Sequence, residues 1–267
     1  MTSLPPAGWY PDPDPQQAGR ERYWNGARWA AGTRPAPVRQ GTVGRPPLGP
    51  RYGVLAGLVQ GFLGLCLLMS LARAALALWT ADVVGGWRDG SQPVDLTTAD
   101  RLDQLTILAS WLDVGLLLVT GVLFITWLYR AHRSDRMYPA ALRHGSGWAI
   151  GGWFVPILGL WRPLQMVNDV RRGAVGLDPG QGGALVGWWW AMYVAVMLSG
   201  RISATLYPTG DEKPRRLLEA LLYSARYDVA DAVINTVAAA LAILVVRHVT
   251  QLVLPAAADR TAAVAPA

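Results

Sequence analysis

The chain has 267 residues, of which 52% are hydrophobic and only 16% are charged, and its formal net charge is +6. Soluble domains contain about 25% charged residues, and the charges here are so unevenly spaced that long uncharged windows remain. This composition excludes an ordinary soluble domain and predicts an integral membrane protein with the lipid bilayer as its solvent. Cys66 is the only cysteine, which excludes a disulfide framework and a cysteine-based metal site.

Residues 4–30 form a small polar module in which turn residues separate short strands. Asn25 and Gly26 lie between two aromatic segments, which predicts a hairpin because both residues tolerate the positive φ of a type I′ turn. An earlier strand at Trp9 and Tyr10 would complete a three-stranded β module. Its expected core residues are Trp9, Trp24 and Trp29.

The aromatic side chains of this module allow two interpretations. They bind a protein partner through exposed rings, or they simply hold together a sheet that is very small for independent folding. The residues concerned are Trp9, Tyr10, Trp24 and Trp29.

The segments PAGWYPDP and RYWNGARW carry a resemblance to a known family. They resemble the domain of unknown function 2510, a short domain at the N-termini of actinobacterial membrane proteins. The family usually has Asp where Asn25 stands and Thr where Ala30 stands. The resemblance implies a neighbouring membrane domain and no assigned activity.

Residues 31–52 are rich in proline and glycine, which predicts a disordered linker. Its arginines stand just before the first apolar run, where they can meet anionic lipid headgroups. These arginines are Arg34, Arg39, Arg45 and Arg51.

Long apolar runs predict an all-α transmembrane helix bundle over residues 53–254, followed by a flexible tail at 255–267. Gly53, Gly57 and Gly61 are spaced for close approach of a second helix, which indicates either packing inside the bundle or a homodimer. The four predicted spans are 53–79, 105–129, 183–207 and 227–252.

The central segment 145–161 is uncharged but slightly short for the roughly 20 helical residues that a bilayer core requires. Its proline and glycines disfavour a continuous helix, which favours a re-entrant or interfacial joint between two hairpins, with a fifth span as the alternative. The residues that define the joint are Trp153, Pro156, Trp161, Arg162 and Pro163.

The distribution of Lys and Arg predicts a cytoplasmic N-terminus and location in the cell membrane. With four spans, 16 of these residues fall on the side of the N-terminus and 6 on the other side. Because Lys and Arg near span ends favour the cytoplasm, the larger set indicates the cytoplasmic face.

Five charged residues within the predicted spans are candidates for pairing with one another. Charges within a bilayer are costly and usually pair inside the bundle. Arg73 and Asp113 would lie at similar depth on antiparallel neighbours, and Arg201 could meet Asp228 or Asp231 in the same way. Such pairs either fix helix register or form a site for a proton, an ion or a polar headgroup.

A second resemblance extends from about residue 53 to residue 252. Residues 127–131, 147–150, 153–156 and 160–163 resemble motifs of the domain of unknown function 4328, an actinobacterial multi-pass membrane family. The family tends to have Asn where Gly159 stands. The resemblance implies a membrane protein, and no enzyme, substrate or cofactor.

Motifs for catalysis are missing from the sequence. The three histidines are scattered, no P-loop or Gly-x-Ser-x-Gly elbow occurs, and the basic linker is next to a membrane span rather than part of a nucleic-acid-binding fold. We therefore expect no enzyme, no metal, no cofactor and no nucleic-acid partner. The predicted function is a non-enzymatic anchor or scaffold with a cytoplasmic partner-binding module. The alternative is a small transporter, channel or lipid-binding protein that uses the intramembrane Arg–Asp pairs.

Overall fold

The computed structural model describes residues 8–14, 20–35, 45–175, 183–206 and 214–254. It divides into two compact units, residues 1–46 and residues 47–267. The predicted tail at 255–267 and part of the predicted linker, 36–44, lie outside the described residues.

The N-terminal unit is a three-stranded antiparallel sheet of strands β1 (Gly8–Pro11), β2 (Arg20–Trp24) and β3 (Trp29–Pro35) in the order β1-β2-β3. The predicted three-stranded module is therefore confirmed. Strand β3 extends into the segment that was predicted to be linker, because the backbone of residues 33–35 pairs with residues 20–22.

The turn between β2 and β3 differs from the predicted type I′ turn. It has four residues, 25–28, and Gly26 has a φ of 95° while no other residue described in this sheet has a positive φ. The Asn25 side chain accepts hydrogen bonds from the amides of Ala27 and Arg28, at 2.9 and 2.8 Å. These hydrogen bonds close the turn without a positive φ at Asn25, which a two-residue type I′ loop would require.

The second unit is helical, and four of its helices are long and apolar enough to cross a membrane. The predicted four-span bundle is confirmed, together with a broken segment between the second and third spans. The long helices are α1 (Tyr52–Asp89), α2 (Leu96–Arg133), α5 (Ala184–Leu206) and α6 (Pro214–Val253). Two short ones, α3 (Trp148–Gly151) and α4 (Arg162–Val175), belong to the region between α2 and α5.

Three of the long helices extend well beyond the predicted spans. A helix of 38 residues, such as α1 or α2, is about 57 Å long, whereas the hydrocarbon core is about 30 Å thick. The charged stretches at 80–89, 96–104 and 214–226 look like loops by composition, but they continue the helices. Asp95 caps α2 by accepting from the amides of Thr97 and Thr98. Hydrogen bonds from Thr98 and Thr97 also lower the pKa of the Asp95 carboxyl.

Helix α6 is the central element, since it packs along both α1 and α5, while α1 also packs along α2. The buried face of α1 comprises Tyr52, Ala56, Val59 and Leu63. Gly53, Gly57 and Gly61 instead lie on an exposed face of α1. The expectation that these glycines pack inside the bundle is therefore wrong, because the buried stripe of α1 is offset from them by one residue or more at every turn.

Trp127 of α2 anchors the core where α2 meets α6. Its side chain is fully buried, and its indole Nε1 donates to the hydroxyl of Thr250 at 3.1 Å. An unpaired indole N–H in this position would carry the full cost of its lost hydration.

We expect Thr250→Val to destabilise the bundle by about 1–3 kcal/mol, because valine preserves the shape of the side chain but removes the acceptor for Trp127. Thermal unfolding in detergent measures the change. Thr236→Val is the matched control, because the Thr236 hydroxyl bonds the carbonyl of Ala232 in its own helix. Equal melting temperatures for the two variants would contradict the prediction.

Candidate intramembrane charge site

Three charged side chains from three helices meet inside the bundle. Arg73 of α1 donates through Nη1 to Oδ2 of Asp113 on α2 at 2.9 Å. Its Nη2 lies 3.9 Å from Oδ2 of Asp231 on α6. We call Arg73, Asp113 and Asp231 the charge cluster, and its formal charge is one positive against two negative groups.

Asp231 has further hydrogen-bond partners that fix its carboxylate. Oδ1 accepts from the hydroxyl of Ser199 on α5 at 2.5 Å, and Oδ2 accepts from Nδ2 of Asn235 at 3.0 Å. The hydroxyl of Tyr227 donates to the carbonyl of Ser199, also at 3.0 Å. The Asp231 side chain is 9% exposed. Ser199 and Asn235 therefore supply the hydrogen bonds that water would otherwise give to a buried carboxylate.

Arg201 is not a partner of Asp231 among the described residues, since Asp231 contacts Arg73, Ser199 and Asn235, so the predicted pair of Arg201 with Asp231 is wrong. The side chain of Arg201 is exposed. Two residues along a helix turn the side chain by about 200°. Because Ser199 faces Asp231, Arg201 points to the other side of α5.

Asp228 lies instead along a polar crevice beside the charge cluster. The crevice has a volume of about 110 Å³ and is lined by Arg73, Asp103, Thr106 and Asp228, among others from α1, α2 and α6. Arg73 and Asp113 are 35% and 30% exposed. The cluster therefore combines one well-buried carboxylate with two partly exposed groups, of which Arg73 lines the polar crevice.

The joint between α2 and α5 is a sequence of short turns rather than a fifth helix. Helix α3 ends at Gly151, a 3₁₀ turn covers Leu158–Leu160, and α4 begins at Arg162. Pro156 lies exposed in the turn between them, and Pro163 is buried in the first turn of α4, a position that tolerates a missing N–H. Four spans therefore remain, with an interrupted segment between the second and third.

The aromatic residues of the joint have different environments. Trp153 packs edge-on against Phe124 and Tyr193, each with a centroid distance of 5.8 Å. Trp161 is 41% exposed. The guanidinium of Arg162 lies 4.8 Å from the ring centre of Trp148, within the range of a cation–π interaction. Trp153 thus joins the core, while Trp161 and Arg162 lie at its edge.

A buried hydrogen-bond centre near the joint was missed in the sequence. Asp169 of α4 has a side chain that is 1% exposed. Its Oδ2 accepts from Nδ1 of His144 at 2.8 Å and from the backbone amides of Arg143 and His144 at 3.2 and 3.1 Å. The available signal was the spacing of Asp169 with Met166 and Val170, which places a carboxylate on the apolar face of α4.

Gly173 lets the same loop approach α4 closely. The amide of Tyr138 donates to the carbonyl of Gly173 at 2.8 Å. A Cβ at residue 173 would lie 2.9 Å from Leu142 and 3.0 Å from Met137, which is too close without rearrangement. Asp169 and Gly173, one turn apart, together hold the segment after α2 against α4.

The aromatic residues of the N-terminal sheet divide between its two faces. Trp9 and Tyr23 are cross-strand partners whose ring centres are 5.4 Å apart, and they are 41% and 37% exposed. Trp29 contacts Tyr10 and Trp24 on the opposite face. Trp9 is therefore not part of a common core with Trp24 and Trp29, because adjacent residues of a strand point to opposite faces.

Metal coordination receives no support from the described residues, in which no group of three or more His, Cys, Asp or Glu could hold an ion.

The fold and the charge cluster define a multi-pass integral membrane protein with four spanning helices and a separate small sheet. Residues 91–251 match the family described as domain of unknown function (DUF4328), which covers more than half of the chain. The chain therefore belongs to this family.

The N-terminal sheet matches a second family. Residues 7–42 match the family described as protein of unknown function (DUF2510). Both resemblances found in the sequence are confirmed, although the larger match begins after α1. No curated protein and no solved structure matches the chain significantly.

Proposed function

We propose that this protein is a non-enzymatic membrane anchor whose N-terminal sheet binds a protein partner in the cytoplasm. The observation that carries the proposal is the exposed pair of Trp9 and Tyr23 on a folded sheet. Exposed aromatic side chains are common energetic centres of protein interfaces. The rings of Tyr10, Trp24 and Trp29 pack together on the opposite face, so each face of the sheet carries its own aromatic contacts.

The proposed location is the cell membrane with the N-terminus in the cytoplasm. The excess of Lys and Arg on that side of the four spans supports this orientation. Arg51, exposed next to the start of α1, would face anionic headgroups at that surface.

We expect Trp9→Ala and Tyr23→Ala, in the full-length protein, each to reduce photo-crosslinking of the sheet to its partner in native membranes by about tenfold, as loss of an interface centre does. Arg28→Ala, an exposed hairpin position away from the pair, is the control and should crosslink normally. Crosslinking that is equal in all three variants and the unchanged protein would contradict the proposal.

The charge cluster favours a second candidate function, a lipid-binding or transport protein. A pair that only fixes register needs one cation and one anion, whereas Arg73 faces two carboxylates beside an open polar crevice. Such intramembrane charges commonly mark a path or site for an ion or a headgroup.

A further inference from the structure

A second, larger cavity lies inside the bundle, and it differs in character from the polar crevice. Its volume is about 350 Å³, and side chains of α1, α2, α5, α6 and the joint line it, which is within the usual size range of small-molecule sites. The wall is almost entirely apolar and includes Leu63, Phe124, Trp153, Trp189, Tyr193 and Ala239. We call this cavity the apolar slot.

The apolar slot is elongated along the helix axes. It extends from Leu63 to Ser70 on α1, and from Asn235 to Ala242 on α6. The end residues of each interval are seven positions apart, or about 10 Å of helix. The slot is therefore about two helical turns long and parallel to the lipid chains of a surrounding bilayer.

The slot has an opening between α2 and α5. These two helices do not pack along each other in the described part of the bundle. Phe124 and Trp189 connect them near the joint, with ring centres 5.7 Å apart. On α2, Leu117 lines the slot and is nevertheless 67% exposed, so this wall is continuous with the lipid-facing surface.

The polar side chains of the slot wall lie at one end and in the middle. Ser70 and Asn235 are at the end away from the joint, and Asn235 donates to Asp231 of the charge cluster. Cys66 and Thr120 line the middle, with 3.5 Å between Sγ and Oγ1. These groups already have partners within the protein, so the slot offers a ligand mainly apolar contacts.

We propose that the apolar slot binds the hydrocarbon chain of an amphiphile, which enters from the bilayer between α2 and α5. The slot is about 10 Å long and runs parallel to the lipid chains, and its nearly apolar wall excludes a charged ligand along most of its length. A phospholipid and a free fatty acid share this chemistry. The inference deepens the second candidate function and rests on it for the class of ligand.

Gly121→Leu is the sharpest test, because Gly121 lines the slot and an added Cβ there meets no atom within 4 Å. The variant adds volume to the slot wall at a position where its Cβ has room. Gly115→Leu is the matched control, since Gly115 is on the same helix, also has open space around it, and is not part of the slot wall. Ala239→Leu fills the slot from α6 and serves as a second variant.

Binding is measured by native mass spectrometry of the detergent-solubilised full-length protein with dioleoyl phosphatidylglycerol and, separately, with oleate. We expect at least one probe to bind the unchanged protein and the Gly115→Leu variant equally. We expect the same probe to bind both slot-filling variants at least about tenfold more weakly. The probe that binds identifies the source of the chain. Binding of neither probe, or equal binding by all variants, would overturn the inference.

A further comparison separates the slot from the charge cluster. If Arg73→Ala abolishes binding and Gly121→Leu does not, the slot is rejected and the second candidate function is kept. If Gly121→Leu loses binding and Arg73→Ala binds normally, the slot is supported and the charge cluster is rejected as the binding site.

Discussion

Arg73→Ala is expected to destabilise the bundle by about 3–5 kcal/mol, because it leaves two carboxylates facing each other without a cation inside a membrane-spanning region. Asp113 loses its partner at 2.9 Å, and Asp231 loses the positive charge at 3.9 Å. The expected result is a lower melting temperature in detergent and a reduced amount of protein in the membrane. Among the described residues, Arg73 is the only cation that forms an ion pair with either carboxylate.

The charge swap shows whether the cluster stabilises structure or binds a ligand. The double variant Arg73→Asp with Asp113→Arg restores the ion pair between α1 and α2 but places a carboxylate at position 73 beside Asp231, so we expect it to recover part of the lost stability. Arg88→Ala, near the end of α1, is the control and should melt normally. Full stability of Arg73→Ala would contradict the prediction. Normal melting of the swapped variant, together with lost binding of an ion or lipid probe, would support the second candidate function.

The number of spans and the joint could be predicted from the sequence because both depend on local composition. Apolar length sets the spans, and Pro156 with its neighbouring glycines prevents a regular helix between residues 145 and 161. The ends of the helices were less predictable. Charged residues such as those at 80–89 are compatible with both loops and helices, and the choice depends on capping and packing outside the bilayer.

The charge cluster shows which part of side-chain pairing can be predicted from the sequence and which part cannot. Antiparallel helices of known span fix the depth of a residue, which brings Arg73 and Asp113 to one level. Depth says nothing about the direction in which a side chain points. Arg201 and Ser199 lie at almost the same depth, yet Ser199 faces Asp231 and Arg201 does not. Pairing across several helices therefore requires the rotation of each helix about its axis.

The contacts of Asp169 depend on loop geometry, which explains why the sequence did not reveal them. His144 and Asp169 are 25 residues apart, and the joint lies between them. Two of the three donors are backbone amides, which every residue except proline possesses and which therefore leave no trace in the sequence. Only the position of an acidic residue among apolar neighbours on α4 was informative.

Asp169→Ala is expected to cost about 3–5 kcal/mol, since three donors lose one shared, buried acceptor and hydrogen bonds to a charged group contribute more than neutral ones. The donors are two backbone amides and the His144 ring. Because this contact holds the segment after α2 against α4, we also expect the joint to loosen. Melting in detergent measures the first effect, and faster hydrogen exchange of residues 143–153 measures the second.

Two further variants decide whether the carboxylate itself is responsible. Asp169→Asn keeps an acceptor oxygen but lacks the charge, so its loss of stability should be intermediate. Asn168→Ala is the adjacent control, because the Asn168 amide donates to the carbonyl of Leu164 in its own helix, and we expect a loss of about 1 kcal/mol or less. If Asp169→Ala behaved like Asn168→Ala, the loop would be held by packing around Gly173 and not by this carboxylate. A loss confined to Asp169→Ala, with Asp169→Asn unaffected, would show that an acceptor is needed there but a charge is not.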